Sequence, residues 1–141
     1  MDFSTNFKII GTGLSAQRTK MDVIVSNLAN VSTTRTPEGG PYKRKVVVLG
    51  TETVGGKFDT RLREALQGVA VKDIVEDQQG MKKIYDPSHP DADAAGFLSL
   101  PNVNVVSEMA DMIIANRSYE ACVTAFDATK NMALKTLDIG K

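Results

Sequence analysis

The stretch MDVIVSNLANVSTT, residues 21–34, joins two kinds of sequence. Met21, Ile24, Leu28 and Val31 keep the alternating three-and-four spacing of a helix seam. From Ser32 the chain turns polar and β-branched, and Asn27 and Asn30 interrupt the last apolar turn before it does. Toward the N-terminus the seam continues through Leu14, Ile10, Phe7 and Phe3, with Gln17 in its one vacant position. That rhythm is a heptad seam, which asks for a partner helix. Ile9, Ala16 and Val23 widen its apolar face, and Gly11 and Gly13 each weaken the helix by about 1 kcal/mol relative to Ala.

The matching pattern lies at the other end of the chain. Val105, Met109, Met112, Tyr119, Val123, Phe126, Ala133 and Leu137 repeat the rhythm, broken at Asn116 and Lys130. They predict a second helix from near Ser107 to about Ile139, broadened by Val106, Ile113 and Leu134 and stopped by Gly140. Between the helices, residues 42–50 (YKRKVVVLG), 68–78 (GVAVKDIVEDQ) and 81–86 (MKKIYD) read as strands. Loops at 32–41, 50–67 and 86–101 separate them; the last, DPSHPDADAAGFLSLP, is long for a connection. The expected fold is mainly α with a small β insertion. Long N- and C-terminal helices pack as an antiparallel coiled-coil-like hairpin, with a short β-hairpin or three-stranded sheet between them. The regions are 1–31, an axial helix; 32–101, the β/loop middle; and 102–141, a second axial helix. Such a hairpin buries little on its own and is built to be completed by neighbours.

Composition narrows the function. The 141 residues carry 17 Lys plus Arg and 17 Asp plus Glu, so no basic footprint for nucleic acid is expected. One Cys and one His exclude a disulfide framework and a His/Cys metal site within one chain. The N-terminus lacks a basic segment followed by an apolar run, so it does not read as a cleavable secretory signal.

Individual motifs are mostly bland. GTG at 11–13 lacks the preceding strand and third glycine of a phosphate loop and reads as a flexible spot in the seam. KRK at 43–45 reads as a solvated strand entrance. Asp86, His89, Asp91 and Asp93 sit among prolines in a turn-forming loop without the offsets of a calcium site. Cys122 lies on the second helix with no nearby His to activate it. Met109, Met112 and Met132 suit a core or an adaptable face between subunits. Gln17, Asn27, Asn30 and Asn116 either set register in a seam or face solvent at a helix end. No cofactor, metal or small-molecule substrate is expected.

Four stretches carry a resemblance. GLSAQRTKMDVIVSNLANVSTTRTPEGGPYKRK (13–45) is similar to the N-terminal signature of the flagellar basal-body rod proteins. GGPYKRKVVV, IYDPSHPDADAAG leading into LPNVNVVSEM, and ANRSYEACVTAFDATKNMALKTLDIGK resemble the proximal members of that family. Together they cover most of the chain, with about 51–80 weakly matched. Cys122 and Asp127 stand where the family pattern leads one to expect Asn, and Phe97 and the LSL before Pro101 look like local variation.

The resemblance implies a non-enzymatic structural subunit of the proximal rod. It would be exported unfolded through the flagellar type III apparatus without a cleaved signal, and reside in the periplasmic space. Its helices would pack on copies of itself, on other rod proteins and on export-gate or junction proteins, forming the tubular drive shaft. The residues expected at subunit contacts are Phe7, Ile10, Leu14, Met21, Ile24, Asn27, Leu28 and Asn30 on the first helix. On the second they are Val105, Met109, Met112, Asn116, Tyr119, Val123, Phe126 and Leu137. The rival reading is a cytoplasmic helical adaptor or export chaperone, which would form a small stable oligomer.

Overall fold

The computed structural model describes residues 3–54 and 66–139. Gly55 and Gly56 of the 50–67 loop, and Gly140 as helix stop, lie outside the described residues. Helix α1 spans Phe3–Ala29, and strands β1 (Lys45–Thr53) and β2 (Gln67–Glu76) follow. Strands β3 (Lys82–Tyr85) and β4 (Phe97–Leu100) then lead to helix α2, Val105–Ile139.

Helix α1 ends as its sequence dictates. Asn30 donates from Nδ2 to the Ser26 carbonyl at 2.8 Å, and its Oδ1 accepts from Thr33 Oγ1 at 3.1 Å. The last turn is thereby closed by a side chain, and the chain is released outward. Helix α2 starts at Val105, ahead of the Ser107 expected, because Asn104 is its cap. Asn104 Oδ1 accepts from the Val106 and Ser107 amides at 3.0 and 3.4 Å.

The helices are mainly responsible for the described structure, and two small antiparallel sheets lie between them in sequence. Strands β1 and β2 pair from Lys45↔Glu76 to Thr53↔Gln67 as a long ribbon, with a bulge between Val48 and Leu49. Strands β3 and β4 pair separately, from Lys82↔Leu100 to Tyr85↔Phe97. The single hairpin or three-stranded sheet is therefore corrected to two two-stranded sheets among the described residues. The missed strand is the FLSL of the presumed loop. Asp93 Oδ1 accepts from the Ala95 and Phe97 amides, both at 2.9 Å, and Gly96 takes φ +80. That tight turn lays Phe97 edge-on against Tyr85, with ring centroids 5.4 Å apart.

The helices meet in antiparallel sense: Phe7 packs on Phe126, with ring centroids 5.0 Å apart, and Asn27 reaches Glu108. The facing positions are not quite those of the large apolar residues. On α1 the buried residues are Ala16, Val23, Ile24 and Asn27, and on α2 they are Glu108, Ala115 and Thr129. Cys122 continues the seven-residue spacing of the latter row, and a Cβ on Gly13 would lie 3.4 Å from its Sγ. Small residues thus occupy the middle of the contact line, at Gly13, Ala16, Ala115 and Cys122. Residues one position along, Met109, Asn116 and Val123, are displaced to the flank and exposed, as are Val105 and Leu137. The expected α2 seam is corrected accordingly: Met112, Tyr119, Phe126 and Ala133 interleave with the small-residue row, and the rest point away. Past Phe126 few residues of α1 remain, so the final turns of α2, with Leu134, Leu137 and Ile139 exposed, run beyond Phe3.

The β1–β2 ribbon lies along α1. Its base touches Asn27, and the Val69 amide donates to Thr12 Oγ1 at 3.2 Å. Asn27 and Thr12 are about 22 Å apart along the helix. Lys45 and Thr51, the partner of Val69, are about 20 Å apart along the strand. Helix and ribbon therefore run side by side with matched lengths.

Candidate functional site: a polar junction and an outward helix face

Asn27 is 1% exposed and makes every hydrogen bond its amide allows. Nδ2 donates to the Lys45 carbonyl at 2.9 Å and to Glu108 Oε2 at 3.0 Å. Oδ1 accepts from the Lys45 amide at 2.9 Å and from Tyr42 Oη at 3.0 Å. One side chain at the end of α1 thus captures the start of β1, the approach to it and the first turns of α2. Asn27 is accordingly engaged within the chain rather than at a helix end in solvent.

Glu108 is 0% exposed, a carboxylate that must be paired to be tolerated. Its Oε1 accepts from Arg44 Nε at 2.6 Å. The same guanidinium reaches Asp77 at 3.5 Å through Nη1 and Asp111 at 3.7 Å through Nη2. Burial works against the charged guanidinium, but hydrogen bonding and Coulombic attraction from Glu108, then Asp77, outweigh it and raise the Arg44 pKa above its ordinary value. The planar fork suits a site where two carboxylates of α2, Glu108 and Asp111, converge with Asp77 from the end of the ribbon. Asn102 adds a further clasp, accepting from the Arg44 amide at 2.9 Å and donating to the Asp77 and Gln79 carbonyls at 3.3 and 3.2 Å.

The KRK stretch therefore differs from its sequence reading. Lys43 and Lys45 are exposed, while Arg44 is half-buried in the junction. Reading the sequence missed Glu108 and Arg44 together. The available signal was the interval from Glu108 to Ala115, Cys122 and Thr129, which places an acid on a small-residue row facing the partner helix.

The residues expected at subunit contacts divide into three sets. Ile24 and Asn27 are buried within the chain. Phe7, Ile10, Leu14, Met21, Leu28, Asn30, Met112 and Tyr119 are half-buried. Val105, Met109, Asn116, Val123, Phe126 and Leu137 are exposed, and Asn116 bonds Glu120 along the helix at 3.1 Å. Around the exposed set lie Val106 at 77% exposure, Ile113 at 63% and Ile114 at 57%. This amounts to an apolar face open over the first turns of α2, of the kind that marks an interaction surface, and Asn116, Glu120 and Lys130 interrupt it further along.

The acidic loop performs a local task. Asp86 Oδ1 accepts from Ser88 Oγ at 2.6 Å and from the Ser88 amide at 3.2 Å; these bonds hold its carboxyl below the usual pKa. His89 Nδ1 accepts from the Asp91 amide at 3.1 Å, and Asp91 accepts from Thr34 Oγ1 at 2.8 Å. With Asp93 closing the turn, all four residues shape the loop. Among the described residues no cluster of three His, Cys, Asp or Glu side chains is placed to hold a metal ion. No described helix is long and apolar enough to cross a membrane.

Comparison with known proteins accords with this geometry. Residues 7–35 match the family described as "Flagella basal body rod protein", and residues 94–139 match "Flagellar basal body rod FlgEFG protein C-terminal". These segments contain α1 from Phe7 onward with Asn30 after it, and α2 with its approach. The flagellar basal-body rod protein FlgC of Borreliella burgdorferi is 42% identical over 149 residues, covering 99% of this chain and 98% of the relative. FlgC of Bacillus subtilis is 42% identical over 147 residues, covering 96% and 97%. FlgC of Escherichia coli O157:H7 is 41% identical over 135 residues, covering 96% of each. At that identity over nearly the whole length, with the junction and both helices inside the matched span, the chain belongs to the FlgC family of flagellar basal-body rod proteins and is a structural subunit of the rod.

Proposed function

We propose that this subunit builds the proximal rod by using the outward face of α2, together with the half-buried flank of α1, as its contact with neighbouring axial subunits. The observation that carries this reading is the open apolar patch of Val106, Met109 and Ile113 near the start of α2, with a second exposed apolar set, Leu134, Leu137 and Ile139, at its far end. Helix pairs of this kind wind into a tubular wall as a coiled-coil-like layer, with each chain touching several others. The ribbon and the β3–β4 sheet sit further out. Residues 1–31 and 102–141 act as the axial elements and 32–101 as the intervening region. The role is mechanical and non-enzymatic: interdigitated helices transmit torque along the shaft.

Partners on this reading are further copies of the chain, other rod proteins, and the export-gate or junction proteins at the rod base. The chain travels unfolded through the flagellar export apparatus to the periplasmic space without losing a signal peptide. Mass spectrometry of stringently washed hook–basal bodies tests the assignment. The intact N-terminal peptide should be recovered there, and should vanish from that fraction when the export apparatus is disabled. Accumulation as a small cytosolic oligomer, with none in basal bodies, would overturn it.

A further inference from the structure

Among the described residues, side chains of α1 hydrogen-bond the backbone of the β1–β2 ribbon near both of its ends. The first is Asn27, which takes both backbone groups of Lys45 and is braced from behind by Glu108 and Arg44. The second is Thr12, whose Oγ1 donates to the Ile9 carbonyl at 2.7 Å and accepts from the Val69 amide. Gly68 makes that second approach feasible: a Cβ there would lie 2.7 Å from Thr12 Oγ1 and 2.7 Å from Val54 Cγ2. Two points separated by most of the ribbon's length define its direction. Directional hydrogen bonds hold an angle more sharply than apolar contact, which is indifferent to small rotations. Meanwhile several apolar side chains of the ribbon, Val48, Leu49, Ile74 and Val75, remain substantially exposed.

We infer that Asn27, with Glu108 and Arg44 behind it, and Thr12, with Gly68 opposite, are positioning residues that pin the ribbon at one angle to the helix pair, and that assembly requires this angle. The second clause rests on the rod reading; the first does not. The buried ion pair is then retained for orientation, a role open to test because apolar replacement of such groups often leaves stability intact.

The experiment uses full-length chain with Cys122→Ser and nitroxide labels at Thr51 on the ribbon and Arg117 on α2, both exposed. Pulsed electron–electron resonance measures the distance distribution. In parallel, each variant without labels is scored for incorporation into basal bodies of cells lacking the native chain. In the variant Asn27→Leu/Arg44→Met/Glu108→Leu, helicity should persist while the distance distribution shifts or at least doubles in width, and incorporation should fall at least tenfold. Gly68→Ala, which leaves the Asn27 joint untouched, should shift the distribution from the other end and also impair incorporation. It decides the matter if the triple variant fails to fold. Unchanged distributions would overturn the pinning. Altered distributions with normal incorporation would overturn the need for the angle. Absence of the unmodified chain from basal bodies would sink the rod reading alone, because the distance measurement stands without it.

Discussion

Arg44→Met removes the cation from a junction that holds three carboxylates. Glu108, with 1% of its side chain exposed, would retain Asn27 Nδ2 as its remaining described side-chain partner. At an effective dielectric of about 20, unit charges about 4 Å apart attract by about 4 kcal/mol. Arg44 keeps 24% of its side-chain exposure, so water recovers part of that loss. A cost of about 3 kcal/mol follows, at the lower end of values for breaking a buried pair. That is a large fraction of the roughly 5–15 kcal/mol by which domains are stable. Urea titration followed by circular dichroism at neutral pH measures it. Two companions sharpen the result. Glu108→Gln keeps the shape and a hydrogen bond to Asn27, and should cost only about 1–2 kcal/mol. Arg44→Met/Glu108→Leu should cost less than Arg44→Met alone, because the stranded carboxylate has gone. Since the Arg44 pKa is raised, its contribution is complete below the ordinary arginine value and is lost only as pH rises through the higher folded one. Its deprotonation therefore adds no pH dependence near neutrality. If Arg44→Met cost below about 1 kcal/mol, the pair would behave as an exposed one and the junction would not hold the fold together.

Ile113→Asp, on the outward face of α2, should leave folding of the free chain within about 0.5 kcal/mol. It should nonetheless abolish swarming by placing a charge in an assembly contact, and motile cells would argue that this face stays in solvent. Gly96→Ala should lower stability by about 1–2 kcal/mol, because φ is +80 and the new Cβ would sit 2.8 Å from Tyr85 Cε2. Gly80→Ala, with nothing within 4 Å of its Cβ, serves as the neutral control in the same thermal melts. Gly11→Ala also meets nothing within 4 Å and should stabilise α1 by about 0.5–1 kcal/mol, read as a higher denaturation midpoint. The Asp86 carboxyl, its pKa lowered first by the Ser88 hydroxyl, supports its loop above the ordinary aspartate value of about 3.9 and loses that support as pH falls through the lower folded one. Side-chain carbon NMR should show Ser88→Ala returning its titration toward the ordinary value. A wild-type midpoint at or above that value would refute the assignment.

Local chemistry was enough to foretell both helices, the strands of the long ribbon and the turn of the chain after Asn30. Each depends on periodicity or on a side chain bonding its own neighbourhood, and such signals lie within a few residues of one another. The four family-like stretches were equally legible, and they led to the rod before any contact was known. The contact side of α1 was legible too, since Ala16, Val23 and Ile24 lie on or beside its seam, but which side of α2 meets it was a different matter. Hydrophobicity pointed to its row of large residues. Ala16, Ala115 and the Gly13–Cys122 contact instead occupy the middle of the interface, while Val105, Met109 and Val123 are left outside. Strand β4 was hidden because FLSL follows a turn closed by one aspartate and one glycine, and it pairs with Tyr85 only once that turn exists. The junction was least visible. Asn27, Arg44, Asp77 and Glu108 are far apart in the chain, and each is unremarkable alone. Only tertiary packing brings them within hydrogen-bonding distance, and burial then turns an ordinary asparagine and an ordinary ion pair into the point that ties the helices to the ribbon.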